Sequence, residues 1–186
     1  MKRLNSLKLN RLFIFQIFFI AIFFIGCNKT NNDELIFGLK LGQKKSVYHD
    51  ICYQLNKAKK ITSGGRSYSP ETILREYKDS ISPRDIKMSF NGVFNDDDVM
   101  SSFKMVFNFI GWSHWNKEYF SNILKERIKD TLNIWFPGND FKEYKIKKNK
   151  NIDVDIKLDG NRRISVYTID NKEVRVVVDD VNNRFK

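Results

Sequence analysis

The side chains able to do chemistry are few in this chain, and their spacing restricts what they could do. Histidine occurs only as His49 and His114, in the contexts YHD and SHW. No HExxH, GxSxG, phosphate-binding glycine loop or paired CxxC is present, so the spacings used by zinc proteases, serine hydrolases, nucleotide enzymes and zinc ribbons are missing. Asp96, Asp97 and Asp98 could supply oxygen ligands, yet they lack the spaced donors and closing glutamate of a calcium loop and read as a solvated turn. Asp153, Asp155 and Asp159 recur with an even period, which predicts the outer face of a strand rather than a metal cage. No catalytic residue, metal ligand or cofactor site is assigned, and the chain reads as a non-enzyme.

One stretch asks for more. Gly111-Trp112-Ser113-His114-Trp115 puts two indoles and an imidazole between a Phe-rich segment and a helical one. Packed inward, such a group fixes the angle at which the chain enters the helix, with Ser113 as its cap. Turned outward, it offers the residue types that dominate binding hot spots. Trp112, His114 and Trp115 are therefore the candidate interface.

The elements that must position these residues are legible from periodicity. Val47, Tyr48, Ile51, Cys52 and Leu55 line one side of a helix expected from Lys44 to Lys59; His49 falls at its surface, and Cys52 serves as a small buried hydrophobe. Leu35 to Lys40 reads as a short first strand. Ser69-Pro70-Glu71 has the form of a helix start, with Ile73, Leu74, Tyr77 and Ile81 at helical spacing; a strand is the alternative there. Alternation predicts strands over Ile86 to Phe94 and Ser102 to Ile110, joined through Asn95 to Asp98. From Asn116 to Ile134 the period changes to about 3.6, with Tyr119, Phe120, Ile123, Leu124, Arg127, Ile128 and Leu132 on one side and Pro137-Gly138 as the stop.

Strands follow near Phe141 to Ile146, Ile152 to Leu158, Arg163 to Ile169 and Glu173 to Asp179, with Asp159-Gly160 as a hairpin turn. In the second of these, Ile152, Val154, Ile156 and Leu158 are expected inside, and Asp153, Asp155, Lys157 and Asp159 outside. The lysine-rich run Lys142 to Lys150 reads as a strand edge whose charges repel edge-to-edge pairing. Val47, Tyr48, Ile51 and Cys52 align with Tyr119, Phe120, Ile123 and Leu124, which suggests two tandem helix-plus-sheet units.

The first residues carry a different message. Lys2, Arg3, Lys8 and Arg11 precede an apolar run from Leu12 to Ile25, shorter than the roughly 20 residues that a spanning helix needs. Phe24-Ile25-Gly26-Cys27 resembles the lipobox of bacterial lipoproteins, with Phe24 where that family usually has Leu. The resemblance implies cleavage before Cys27 and acylation of its thiol, and several acyl chains on one residue hold a protein firmly. Asn28 is not the aspartate that resembles an inner-membrane retention signal, so the outer membrane or cell surface is the expected location. The segment LKLG followed by an amphipathic helix is also similar to the opening of small α+β envelope lipoproteins, including those of the outer-membrane assembly machinery, and of the β-lactamase inhibitor protein fold.

The formal net charge of +11 falls to +7 once the four basic residues of the leader are removed. A tethered, exported chain of modest positive charge without a nucleic-acid motif is not expected to bind nucleic acid. The expected organisation is a signal peptide over 1–26, a lipidated polar tether over 27–34, and one α+β domain over 35–186 with possible halves 35–111 and 112–186. Two amphipathic helices pack on antiparallel sheet in this reading. The expected function is a non-enzymatic binding or structural module with a protein partner at the membrane surface. The alternative is a tethered inhibitor or immunity protein against an envelope hydrolase or toxin.

Overall fold

Alternation is the first organising force in this chain. Met88 and Phe90 in one segment, and Phe103, Met105, Phe107 and Phe109 in the next, all lie at 1% exposure or less. Pairing two such segments side by side aligns their apolar faces, and each phenylalanine contributes about 1.5–3 kcal/mol through burial.

The computed structural model describes residues 31–63, 73–78, 85–148 and 150–185. Residues 31–186 belong to one compact unit. Its helices are α1 (Lys45–Lys57) and α2 (Ser121–Trp135). After α1 come β1 (Thr62–Ser63), β2 (Ile73–Lys78), β3 (Asp85–Phe94) and β4 (Met100–Phe109). After α2 come β5 (Lys142–Lys148), β6 (Lys150–Asp159), β7 (Arg162–Thr168) and β8 (Val174–Asp180). Among the described residues each helix thus precedes four strands, but the residue alignment that suggested tandem units does not hold, since Tyr119 and Phe120 precede α2 and Val47 is exposed.

The strands form a single sheet in the order β1-β2-β3-β4-β8-β7-β6-β5, and the seven neighbouring pairs are antiparallel. The two four-stranded meanders meet at their last strands, where Phe103 faces Val178, Met105 faces Val176 and Phe107 faces Val174. These residues share one core with Tyr48 and Cys52 of α1, and with Leu124, Ile128 and Leu132 of α2. Both helices therefore cover one face of the sheet, and no helix among the described residues covers the other. The fold class is α+β, as the sequence predicts.

Three local expectations are corrected. Residues 35 to 40 do not form a strand: Ile36–Gly38 is a short 3-10 turn, with Phe37 and Gly38 at positive φ. Leu35, Leu39 and Leu41 are buried around it, so the apolar signal was one of packing rather than pairing. Ile73–Lys78 is a strand and not part of a helix, because Ile73 to Lys78 pair in register with Phe90 to Asp85. Ser69, Pro70 and Ile81 lie outside the described residues. Finally, α2 begins at Ser121 behind Phe120, after a 3-10 turn over Lys117–Tyr119, so Ser113 is not its cap.

Candidate functional site

The chain leaves β4 at Phe109 and needs eleven residues before α2, and this loop carries the Trp-His-Trp group. The β7–β8 turn lies at the same end of the sheet, because Thr168 pairs with Val174 and Phe107 pairs with Val174 from the other side. Asp170 organises that turn: its carboxylate accepts the Lys172 and Glu173 N–H groups at 2.9 and 3.0 Å. Burial alone would raise the Asp170 carboxyl, but those two N–H donors, with Arg175 and Lys172, outweigh it and hold it below the usual carboxylate range. The start of α2 is fastened to the same turn, with Ser121 donating its hydroxyl to the Asp170 carbonyl (2.5 Å) and its N–H to the Asn171 carbonyl (3.0 Å).

Trp112 and Trp115 take opposite roles on this platform. The Trp112 indole donates to the Asn171 carbonyl at 2.9 Å, has Lys172 Nζ 5.7 Å from its ring, and packs against the core. The His114 ring meets Trp112 edge-on at 4.7 Å and stands 6.4 Å from Trp115. Trp115 itself is 83% exposed, and Ile110 and Ile169 beside the two strand ends are each 52% exposed. Of the candidate interface, the structure brings all three residues to one end of the sheet but leaves only His114 and Trp115 on the outside. Ile110 and Ile169 were missed from sequence, because each looks like the last apolar residue of its strand.

The opposite end of the sheet receives the N-terminal segment. The Asn32 N–H donates to Asn161 Oδ1 at 2.6 Å and its side-chain amide donates to the Asp159 carbonyl at 3.0 Å. Asp33 accepts from the Asn161 amide at 2.8 Å and pairs with Arg184, while Arg162 donates to the Glu34 carbonyl at 3.1 Å. Asn32 and Asp33 are therefore docked on the domain, ahead of the expected 34/35 boundary. Arg184 is held above its ordinary value first by Asp33 and then by Asp180. Burial would raise the Asp180 carboxyl, but the Arg184 N–H and guanidinium and the Asn161 amide together depress it.

Strand β6 departs from the expected faces at Asp155, Lys157, Leu158 and Asp159, whereas Val154 is buried as expected. Asp155, Lys157 and Asp159 are buried at 5%, 1% and 5% exposure, whereas Leu158 is 46% exposed. The inward face lies under α2, which supplies Lys125 and Lys129 to Asp155 Oδ2 at 2.9 and 3.4 Å and Asn133 to Lys157 at 3.0 Å. Lys157 Nζ stands 3.9 Å from Asp159 Oδ2 and 5.8 Å from the Phe141 ring. Asp159 Oδ1 accepts the Asn139 N–H at 2.7 Å, and a Cβ on Gly138 would fall 2.3 Å from that oxygen, so the close approach requires glycine. Asp153, by contrast, is exposed as expected.

His49 is at the surface of α1, and Cys52 is buried with its thiol pushed up by burial, which a hydrogen bond with Tyr48 only partly offsets. That is an inert thiol. Asp96 to Asp98 form a turn organised by Asn95 Oδ1, which accepts the Asp97 and Val99 N–H groups. Among the described residues, no group of three or more His, Cys, Asp or Glu could hold a metal ion, and no helix is long and apolar enough to cross a membrane. Cys27 and the apolar run before it lie outside the described residues. Comparison with protein-family models, curated proteins and solved structures returns no match for this chain.

Proposed function

We propose that this protein is a non-enzymatic, lipid-anchored binding module of the bacterial envelope that engages a protein partner through the Ile110–Trp115–Ile169 end of its sheet. The observation that carries the reading is the 83% exposure of Trp115, held on a platform that Trp112, Asp170 and Ser121 make rigid. A free indole in water gains nothing for the monomer, whereas its transfer into a partner's pocket removes about 150–250 Å² from water, a gross gain of roughly 4–6 kcal/mol. The ordered platform lowers the entropy cost of docking.

Chain reach supports an outward-facing tip. Only Asn28 to Asn31 separate Cys27 from the docked Asn32, which allows at most roughly 18 Å. Strand β4 alone runs ten residues, about 33 Å, between the end that receives Asn32 and the end that carries Trp115. An acylated Cys27 would keep the Asn32 end near lipid and leave the indole facing away from it.

The test is photo-crosslinking in intact cells from position 115, with position 53 as control, since Tyr53 is another exposed aromatic (65%) on α1. A discrete protein adduct from 115 and none from 53 is expected; adducts to phospholipid alone would overturn the outward-facing reading. The mass of the mature protein tests the anchor separately, because it should begin at Cys27 and include fatty groups. A tethered inhibitor would show itself as a stoichiometric complex in which the captured enzyme loses activity.

A further inference from the structure

Strand β6 places charge under α2, while on its other face Val154 is buried, Ile156 is half-buried and Leu158 is left exposed. Register puts Lys142 of β5 opposite Ile156, Tyr144 opposite Val154, and Leu158 opposite Arg163, all on the open side of the sheet. Tyr144 and Leu158 are each 46% exposed there. Around them is a depression of about 370 Å³ lined by Asn139, Asp140, Lys142, Tyr144, Ile156 and Leu158. Burying Lys157 and two aspartates costs more than burying leucine would, and the ion pairs at best repay that cost. Folding alone therefore gives no reason for this orientation of β6, and an apolar face intended for a partner does.

The neighbouring backbone is also unsatisfied on one side. Strand β5 is the edge of the sheet, paired with β6 from Lys142 to Lys148 and with no other strand among the described residues. Such an edge is a template for one more strand. Its sequence, KEYKIKK over Lys142 to Lys148, carries four lysines and one glutamate, and Lys142 and Lys145 are exposed. A second copy of β5 would bring lysine against lysine, so this edge rejects its own kind. An acidic strand would meet the same lysines with opposite charge.

We propose that β5 accepts an acidic, extended segment of a partner protein, which adds to the sheet as one more strand and seats an apolar side chain between Tyr144 and Leu158. The backbone supplies affinity, the lysines supply selectivity, and the depression sets the register. Because β5 and this depression are distinct from the Trp115 tip, the proposal stands or falls independently of the lipid anchor and of the tip.

The experiment uses the full chain in mild detergent and a blocked nine-residue peptide of alternating Glu and Val. Three comparison probes accompany it: the same peptide with Lys for Glu, the acidic peptide N-methylated at alternate residues, and phosphatidylglycerol vesicles. The acidic peptide is expected to bind and to slow amide exchange over 142–148. Lys142→Glu with Lys145→Glu should weaken binding about tenfold, and Leu158→Ser should also weaken it, in each case with an unchanged melting temperature. The N-methylated peptide should not bind, since it cannot complete the strand pairing. Equal binding of the Lys peptide or of the N-methylated peptide would overturn the proposal. So would exchange protection away from β5, or vesicle binding through these lysines with no peptide binding.

Discussion

The two halves of this molecule share an element order and differ in what lies beneath their helices. In the first half the strands offer α1 an apolar floor, with Met88, Phe90 and Phe103 at 1% exposure or less and the Tyr48 ring 5.4 Å from Phe94. In the second, α2 rests on valines of β7 and β8 on one flank and on Asp155, Lys157 and Asp159 of β6 on the other. The apolar half of that floor continues across the β4–β8 seam; the charged half lies toward the free edge at β5. Burial near the seam holds the two halves together, whereas near the edge charge is buried under α2 and Tyr144 and Leu158 are left half exposed on the other face.

The comparison breaks first at the seam. Phe107→Ala should destabilise the protein by about 3–5 kcal/mol, lowering the urea midpoint and loosening β4 and β8 together. An effect confined to the first half would show that the seam is not the shared core. Next is Lys157→Met, which takes one of two cations from Asp159, leaving Arg162 at 3.7 Å, and removes the bond to Asn133; it should cost about 2 kcal/mol. A neutral or stabilising result would mean that the ion layer is dispensable packing, and the contrast between halves would lose its energetic content.

The two tryptophans sharpen the contrast between platform and tip. Trp112→Ala should cost about 2 kcal/mol, since it removes a packed ring and the bond to Asn171. Trp115→Ala should change stability by less than about 0.5 kcal/mol while abolishing the crosslinked partner. Equal losses of melting temperature would return Trp115 to the core.

The smallest effect is on the acid side. Asp170 and Asp180 are both depressed in the folded protein, so each contributes stability that is complete above the unfolded value near pH 4 and is lost as pH falls through the lower folded value. Both lie in the second half. Hydrogen exchange at about pH 3 should therefore show the β7–β8 turn and the Asn161–Arg184 region loosening before the β3–β4 hairpin. Simultaneous opening of both halves would refute that placement.

Much of this was legible without coordinates. The strands β3, β4, β7 and β8 were read nearly to their ends because alternation with one fully apolar face leaves no ambiguity. α2 was recovered except for its start, which Ser121 takes by bonding to Asp170, a residue 49 positions away. The site was half legible: Trp112 and Trp115 are identical in type and nearly adjacent, and nothing local distinguishes the one that finds Asn171 from the one that finds water. Residues 35 to 40 misled because a short apolar run looks like a strand even when its leucines are buried around a turn.

Composition and periodicity by themselves determined the helix-then-strands order and the pairing partners within the hairpins, because these follow from near neighbours along the chain. Which face of β6 points inward was decided only by tertiary structure. A period of two states that the faces differ; it does not state which one the core takes. Lys125, Lys129 and Asn133 on α2 settle it here, by meeting Asp155 and Lys157 with partners that no segment of β6 contains.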